Sequence, residues 1–364
     1  MINKELIHPK FYFGDGSQEI EFEKIFSKNW FFAGMLSDFP ENNAFITLNL
    51  FGYPIVIQNF NGELKAFQNI CPHRFNKIQT DSKGVGFFFC RYHNWSFDKD
   101  GQVKSLPKKN SFDLNSDEFK CLKVKSLKLE IVGKFVFVSI DLNVLPLKSY
   151  LGDFYGKLLE ISDTLDYDFY FDDDQQNINW KLIVENVIEA YHCPAIHHNT
   201  LFNMGFCKIS EVNNIYHKGH SVADYPKSEN HESGNKLLKY LENIKFKHSS
   251  FRHYFIFPNL LISSTEGTSI YIGNILPISS EKSILRKRFY SPKFIEGYIP
   301  KETIHKAFLE MVKTSINQIL DEDKVVLEQV QKNIPFIDST YFLGGEECRI
   351  NDFHNKYLGL IQHG

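Results

Sequence analysis

Residues 16 to 30, GSQEIEFEKIFSKNW, place Ile20, Phe22, Ile25 and Phe26 at near-helical spacing, with acidic residues in the early turns. That pattern predicts a helix with one buried side. From Ala44 to about Ile140 the period shortens. AFITLNLFG, YPIVIQNFNGELKAF, FDKDGQVKSL and KFVFVSIDL read as strands, with Asn61-Gly62 and Asp100-Gly101 as hairpin turns. Residues 141 to 178 look transitional, and Asp172-Asp173-Asp174 reads most simply as a solvated turn. NWKLIVENVIEAYH predicts a helix, RHYFIFPNLLIS, SIYIGNILPI and SILRKRFY predict strands, and a last long helix is expected over roughly 302 to 333. The expected architecture is α+β: an N-terminal helical arm over 1–40, a small antiparallel β domain over 41–145 and a larger domain over 146–364.

A chain of 364 residues is long enough for two cores. Forty-one basic against 44 acidic residues leave a net charge of −3, no electrostatic case for nucleic acid or an anionic membrane. No apolar run reaches membrane-spanning length. The opening MINKELIHPKFYFGDGSQ has no apolar h-region followed by small residues, so no signal peptide is expected. The six cysteines are too few and too scattered for a disulfide framework. These features predict a soluble protein of the reducing cytoplasm.

Two short arms carry the first chemistry, Cys71-x-His73 and Cys90-x-x-His93. Chance pairing of buried thiols with surface histidines is one reading. Structural zinc is a second, although zinc folds commonly keep Cys with Cys and His with His. The third is a Rieske [2Fe–2S] centre, where two His replace two Cys on one iron. Two loops straddling such a cluster each deliver a thiolate to one iron and an imidazole to the other, and mixed arms suit that geometry.

A second set lies in Glu189-Ala-Tyr-His192-Cys-Pro-Ala-Ile-His197. Residues five apart on a straight helix point about 140° from each other. His192 and His197 therefore converge only if the backbone turns between them, and Pro194 stands there to end the helix. One core and one surface histidine is the plain alternative. Two His and one carboxylate with open positions mark non-haem Fe(II) oxygen activation. In the last helix the steps Ile316, Leu320, Leu327 and Val330 pass through Asp323, which predicts Asp323 inward and Asp321 and Glu322 on more exposed faces. A buried lone carboxylate requires a partner, and a cation would serve.

The sequence CPHR followed by CxYHxW, a strand and DGQ resembles the Rieske domain of aromatic-ring-hydroxylating oxygenases. ENVIEAYHCPAIH, EDKVVLEQVQ and EECRINDFHNKYL resemble segments of the catalytic subunits of that family, so the likeness runs from the helix ending at Trp30 to Tyr357. The departures are Phe75 and Asn94 where the family usually has Gly, and Arg91 where it has Pro. The resemblance implies a Rieske domain followed by a helix-grip catalytic domain, an antiparallel sheet around a long helix. It implies Cys71 and Cys90 on one cluster iron and His73 and His93 on the other, with Arg74 and Trp95 beside them. It further implies His192, His197 and Asp323 as ligands of a mononuclear Fe(II). Glu189 would occupy the acidic position that bridges an iron-ligating His to a cluster-ligating His of the next subunit, and Glu there resembles the choline and carnitine monooxygenase branch. Glu185, one turn earlier, reads as structural.

The implied activity is that of a terminal oxygenase, which uses O₂ to hydroxylate, dihydroxylate or oxidatively dealkylate a small aromatic or quaternary-amine substrate. No Gly-rich dinucleotide fingerprint stands in a strand-turn-helix setting. NAD(P)H would therefore be oxidised by a separate flavin/iron–sulfur reductase, or act through a ferredoxin. A head-to-tail homotrimer is the implied assembly. The alternative is a Rieske electron-transfer protein with a non-catalytic C-terminal binding domain. The substrate cavity is expected to draw on the sheet around Phe251 to Tyr271.

Overall fold

The computed structural model describes residues 6–207, 212–228, 242–339 and 341–363. Residues 1–5 of the expected helical arm lie outside them. The chain divides into two units, Phe26–Tyr150 and the described residues of 1–25 with 151–364. Among the described residues, no helix is long and apolar enough to cross a membrane.

The smaller unit is antiparallel β, with strands ordered Phe31–Met35, Phe135–Ser139, Ser126–Val132, Glu63–Gln68, Tyr53–Phe60, Ala44–Leu50 and Lys83–Val85. Asn61 and Gly62 both adopt positive φ between the paired residues Phe60 and Glu63, the two-residue turn that Asn-Gly favours. A second sheet, Phe89–Cys90, Trp95–Phe97 and Val103–Ser105, turns near Gly101. A Cβ on Gly101 would lie 2.8 Å from the Val124 carbonyl, and its φ is +80°, so only glycine fits. Phe45, Val56, Phe67, Phe88, Trp95 and Phe97 close a core that includes Cys71 and Cys90.

In the larger unit seven antiparallel strands run Leu165–Gln176, Lys282–Pro292, Ser269–Ser279, Leu260–Thr265, Ser250–Ile256, His220–Pro226 and Asn213–His217. The last two strands, NNIYH and HSVADYP, carry too few apolar residues in sequence to stand out. The helix Glu302–Asn333 buries Phe308, Leu309, Val312, Asp323, Leu327 and Gln331. Val330 is exposed, because the buried stripe drifts to Gln331 at 3.6 residues per turn.

Three local expectations are corrected. The first helix spans only Asp15–Glu21, followed by a π-helical turn at Phe22–Phe26, and Ile20 is exposed while Glu21 is buried. Glu21 faces inward because Lys181 meets it there, a long-range pairing no local pattern reveals. Asp172-Asp173-Asp174 is no solvated turn. It lies in the strand Leu165–Gln176 opposite the basic run of 286–288: Arg286 forks onto Asp173 at 2.7 and 2.8 Å, Lys287 pairs with Asp172 at 3.0 Å, and Arg288 reaches Asp168 at 3.2 Å. Opposite charges facing each other across an antiparallel pair stabilise its register. The third correction concerns Pro194. The helix Trp180–Val187 ends before it, and Pro194 sits in the first turn of the next helix, Cys193–Ile196. Its missing N–H is no loss at that position. Cys193 is joined to Cys207 by one disulfide, a single bridge and no framework among the described residues.

Candidate metal centres

The two cysteine–histidine loops share one backbone form. Phe75 N–H bonds the Cys71 carbonyl at 3.0 Å, and Asn94 N–H bonds the Cys90 carbonyl at 2.8 Å. In both, the residue four after the cysteine is left-handed, Phe75 at φ 61° and Asn94 at φ 58°. Those are the two positions where the resembled family usually has Gly. Asn tolerates that region; Phe pays roughly 1–2 kcal/mol for it and projects into solvent. Both thiols are buried, and His73 and His93 are half-buried outside them. The His73 and His93 rings lie 4.4 Å apart, and His73 stacks on Trp95 at 4.5 Å.

Burial pushes the Cys71 thiol up to about 11, with Cys90 adding to the rise and the backbone N–H groups of His73 and Arg74 opposing it. His73 Nδ1 is buried with no hydrogen-bond partner among the described residues. Two adjacent buried thiols beside two imidazoles, one with an orphaned nitrogen, fit a group that takes thiolate and imidazole together.

In the larger unit the turn after Val187 folds Glu189 back onto the chain. Its carboxylate accepts from the backbone N–H groups of Tyr191 and His192 and holds His192 Nδ1. The short helix Cys193–Ile196 then swings His197 round to face His192, and the two Nε2 atoms lie 3.2 Å apart. Asp323 Oδ1 comes within 3.1 Å of His197 Nε2 and 3.6 Å of His192 Nε2. One ligand atom from each residue falls within a 4.8 Å cluster.

Asp323 is aimed by its neighbours. Lys324 bonds Asp174 at 2.7 Å and the Gln175 carbonyl at 3.2 Å, tying the long helix to the sheet edge. Glu322, expected on a more exposed face, instead accepts from His197 Nδ1 at 2.8 Å, Thr200 at 2.9 Å and Gln318 at 3.0 Å. Successive helical side chains fan out by about 100°, so one turn reaches the histidine, the site and the sheet. Asp321 is exposed as expected. Burial opposes ionisation of Glu322, but its three hydrogen bonds outweigh that and hold its carboxyl below the usual range. Burial lowers the His197 pKa, and the Asp323 and Glu322 carboxylates more than reverse it.

The donor set calls for a cation. Each imidazole gives Nδ1 to a carboxylate, Glu189 for His192 and Glu322 for His197, which turns both Nε2 lone pairs inward. Asp323 Oδ1 is buried and, with both Nδ1 atoms engaged by carboxylates, it converges with the two Nε2 atoms as a set of three candidate donor atoms. Glu322 was missed in the sequence because it follows exposed Asp321 in an acidic run; a carboxylate beside a ligand candidate is the signal that could have found it. Glu322→Ala is expected to weaken iron retention by about 10–100-fold, read by competition with a chelator.

A cavity of about 550 Å³ opens on this triad. Its walls include Leu201, Phe206, Phe308 and Ile316, and from the sheet Phe251, His253, Ser263, Thr265 and Tyr271. The sheet segment anticipated in the sequence thus lines it. Glu185 is a structural hub, accepting from Tyr12 at 2.5 Å and contacting His354 at 3.1 Å.

Residues 162–363 match the family described as ring hydroxylating alpha subunit (catalytic domain), and residues 29–128 match the Rieske [2Fe-2S] domain. The carnitine monooxygenase oxygenase subunit of Escherichia coli (strain K12) is 26% identical over 345 residues, covering 90% of this chain and 84% of the relative. The glycine betaine monooxygenase oxygenase subunit of Pseudomonas aeruginosa is 30% identical over 190 residues, 49% of this chain and 42% of the relative, so the chain spans less than half of its length. Among solved structures, a quaternary ammonium Rieske monooxygenase in complex with an inhibitor superposes with a TM-score of 0.80 at 19% identity, covering 98% of this chain and 94% of that one. Naphthalene 1,2-dioxygenase from Rhodococcus sp. bound to indole gives 0.78 at 16%, over 98% and 94%. At these identities the superpositions show a shared fold.

Proposed function

The chain belongs to the ring-hydroxylating alpha-subunit family and carries a Rieske [2Fe–2S] domain, and from that membership we propose that it is the terminal oxygenase of a multicomponent system. The reading takes a small quaternary amine or aromatic compound as substrate, with electrons from NAD(P)H delivered by a separate reductase or ferredoxin. The observation that carries it is the convergence of His192, His197 and Asp323 on one wall of a largely apolar cavity. Cys71, His73, Cys90 and His93 would hold the [2Fe–2S] cluster, and His192, His197 and Asp323 the mononuclear iron. Loaded, these groups supply one-electron transfer and dioxygen activation.

The chain's own residues perform the rest. Glu189 and Glu322 fix the two rings and keep their protons on Nδ1, so Nε2 stays a lone-pair donor. Leu201, Phe206, Phe308 and Ile316 exclude water around the reacting carbon. Hydroxylation in this scheme consumes O₂, two electrons and two protons and yields the oxidised product and water. The resemblance also assigns Glu189, through its hold on His192, the contact to the cluster of the next subunit in a head-to-tail homotrimer.

The names of the relatives favour a quaternary ammonium acid over a plain arene. The test is iron content and turnover. Purified chain should hold about three iron atoms, two in the cluster and one mononuclear, and give a rhombic signal on reduction. With a generic reductase, carnitine, glycine betaine and anthranilate are screened for product against peroxide. About two iron atoms per chain and no oxygen uptake with any substrate would favour the electron-transfer alternative instead.

A further inference from the structure

The cavity floor carries a polar row that the iron site does not use. His253 pairs with Ser263, and Ser263 with Tyr271, in register across three adjacent strands, so all three side chains stand on one face of the sheet. All three line the cavity. His253 and Tyr271 are 2% and 3% exposed. Yet His253 Nε2 and the Tyr271 hydroxyl make no hydrogen bond among the described residues, and neither does Asn186 Nδ2 on the same cavity wall. Buried polar groups without partners are rare, because each forfeits its hydration.

The row is built, not accidental. Arg349 of the terminal helix Cys348–His363 is itself buried, and its Nη2 lies 3.3 Å from both His253 Nδ1 and the His253 carbonyl, while its Nε bonds Ser221 at 3.0 Å. A guanidinium only donates, so Nδ1 must accept and the ring proton sits on Nε2, the unpartnered atom of this cavity-lining residue. Burial, and then Arg349, keep His253 far below its ordinary pKa, so it is a neutral donor. Burial likewise raises the Tyr271 phenol, which keeps its proton. Two residues along the strand, a Cβ on Gly273 would lie 2.3 Å from the Tyr271 hydroxyl, so glycine there makes room for that group. The other charged pair of the cavity, Lys227 and Glu266, is internally satisfied at 3.1 Å. The unpaired groups of the floor thus include two donors, with a buried cation behind His253, while the carboxylates of Asp174 and Asp323 act on Tyr271.

We propose that His253 and Tyr271 are substrate-orienting residues, whose Nε2–H and hydroxyl hydrogen-bond a carboxylate oxygen of the substrate and turn its other end towards the His192–His197–Asp323 triad. This rests on the oxygenase reading for its purpose but not for its binding. The small-acid class follows from the complement of donors: an oxygen acceptor satisfies both, and Arg349 favours one that is anionic.

The test reads binding by calorimetry on the iron-loaded full chain without oxygen or reductant. Two matched probe pairs are used, 4-(trimethylammonio)butanoate against butyltrimethylammonium, and anthranilate against aniline. The wild type should bind at least one acid about tenfold more tightly than its acid-free partner. Tyr271→Phe and His253→Leu should each abolish most of that preference, and His253→Gln, which keeps a donor, should restore part of it. Tyr271→Phe should leave the thermal midpoint unchanged or higher, since it deletes an unpaired hydroxyl, whereas a merely structural tyrosine would lower it. In turnover KM should rise more than kcat falls, with more peroxide per product. An acid preference that survives both deletions, or a wild type that binds none of the acids or prefers the acid-free partners, overturns the proposal. Absence of a third iron would overturn the oxygenase reading and leave the binding result standing.

Discussion

Asp323→Ala should lower the iron content of the purified chain from about three to about two atoms and leave the cluster's spectrum intact. The cluster ligand candidates lie in the Phe26–Tyr150 unit and Asp323 in the other, so the two metal contents should separate cleanly. Substrate oxidation should fall by at least about a hundredfold, since even residues behind a ligand are worth 10–100-fold. The variant should not weaken the metal-free fold. At a pH where His197 is neutral, Asp323 Oδ1 has no hydrogen-bond partner among the described residues, and removing it relieves a desolvation penalty instead of breaking its 3.1 Å contact with an imidazolium. The metal-free thermal midpoint is therefore expected to hold or rise while the gain on adding Fe(II) disappears, as mass action requires of a lost site. Retention of about three iron atoms with normal turnover would reject Asp323 as a ligand.

The parts of this site that the sequence carries are those set by local spacing. Spacing alone requires a turn between His192 and His197 and turns Asp323 inward, while their grouping as one ligand set is what the family resemblance implies. The long helix and the strands from 250 to 291 followed from apolar periodicity in the same way. What escaped depends on partners far along the chain. Pro194 is equally compatible with ending one helix or opening the next, and only the early stop at Val187 decides it. Asp172, Asp173 and Asp174 look solvated until the strand Lys282–Pro292 brings Arg286 and Lys287 opposite them. Glu322 looks like its exposed neighbour until Cys193–Ile196 turns His197 towards it. The row His253–Ser263–Tyr271 exists only through strand register, which no single strand encodes. Phe75 and Asn94 are the converse case: their oddity was visible at once, and the left-handed backbone explains it.

Lys181→Ala should destabilise the larger unit by about 3–5 kcal/mol. Lys181 and Glu21 have wholly buried side chains and form an ion pair at the base of the helix that leads to Glu189 and His192. Glu21 also accepts from Trp180 Nε1 at 2.6 Å and the Tyr357 hydroxyl at 2.7 Å, and Lys181 donates to the Phe11 carbonyl at 2.7 Å. Burial lowers the Lys181 pKa, and Glu21 opposes that fall without reversing it. Three aromatic rings surround the ammonium, with Tyr12 at 4.8 Å and Trp180 and Tyr357 at 5.5 Å. Truncating the lysine leaves the Glu21 carboxylate dry and without a countercharge, held only by Trp180 Nε1 and the Tyr357 hydroxyl, which is why the loss far exceeds that of a surface pair. The thermal midpoint should drop by roughly 6–20 °C. Glu21→Leu with Lys181→Met, which removes both charges at similar volume, should be less destabilised than the sum of the single variants, although Trp180 Nε1 and the Tyr357 hydroxyl lose their acceptor. Because the triad lies elsewhere, Lys181→Ala should still load its mononuclear iron at low temperature, which separates a weakened frame from a broken site. A single-variant loss below about 1 kcal/mol, or strict additivity in the double-mutant cycle, would mean that this pair does not anchor the helix.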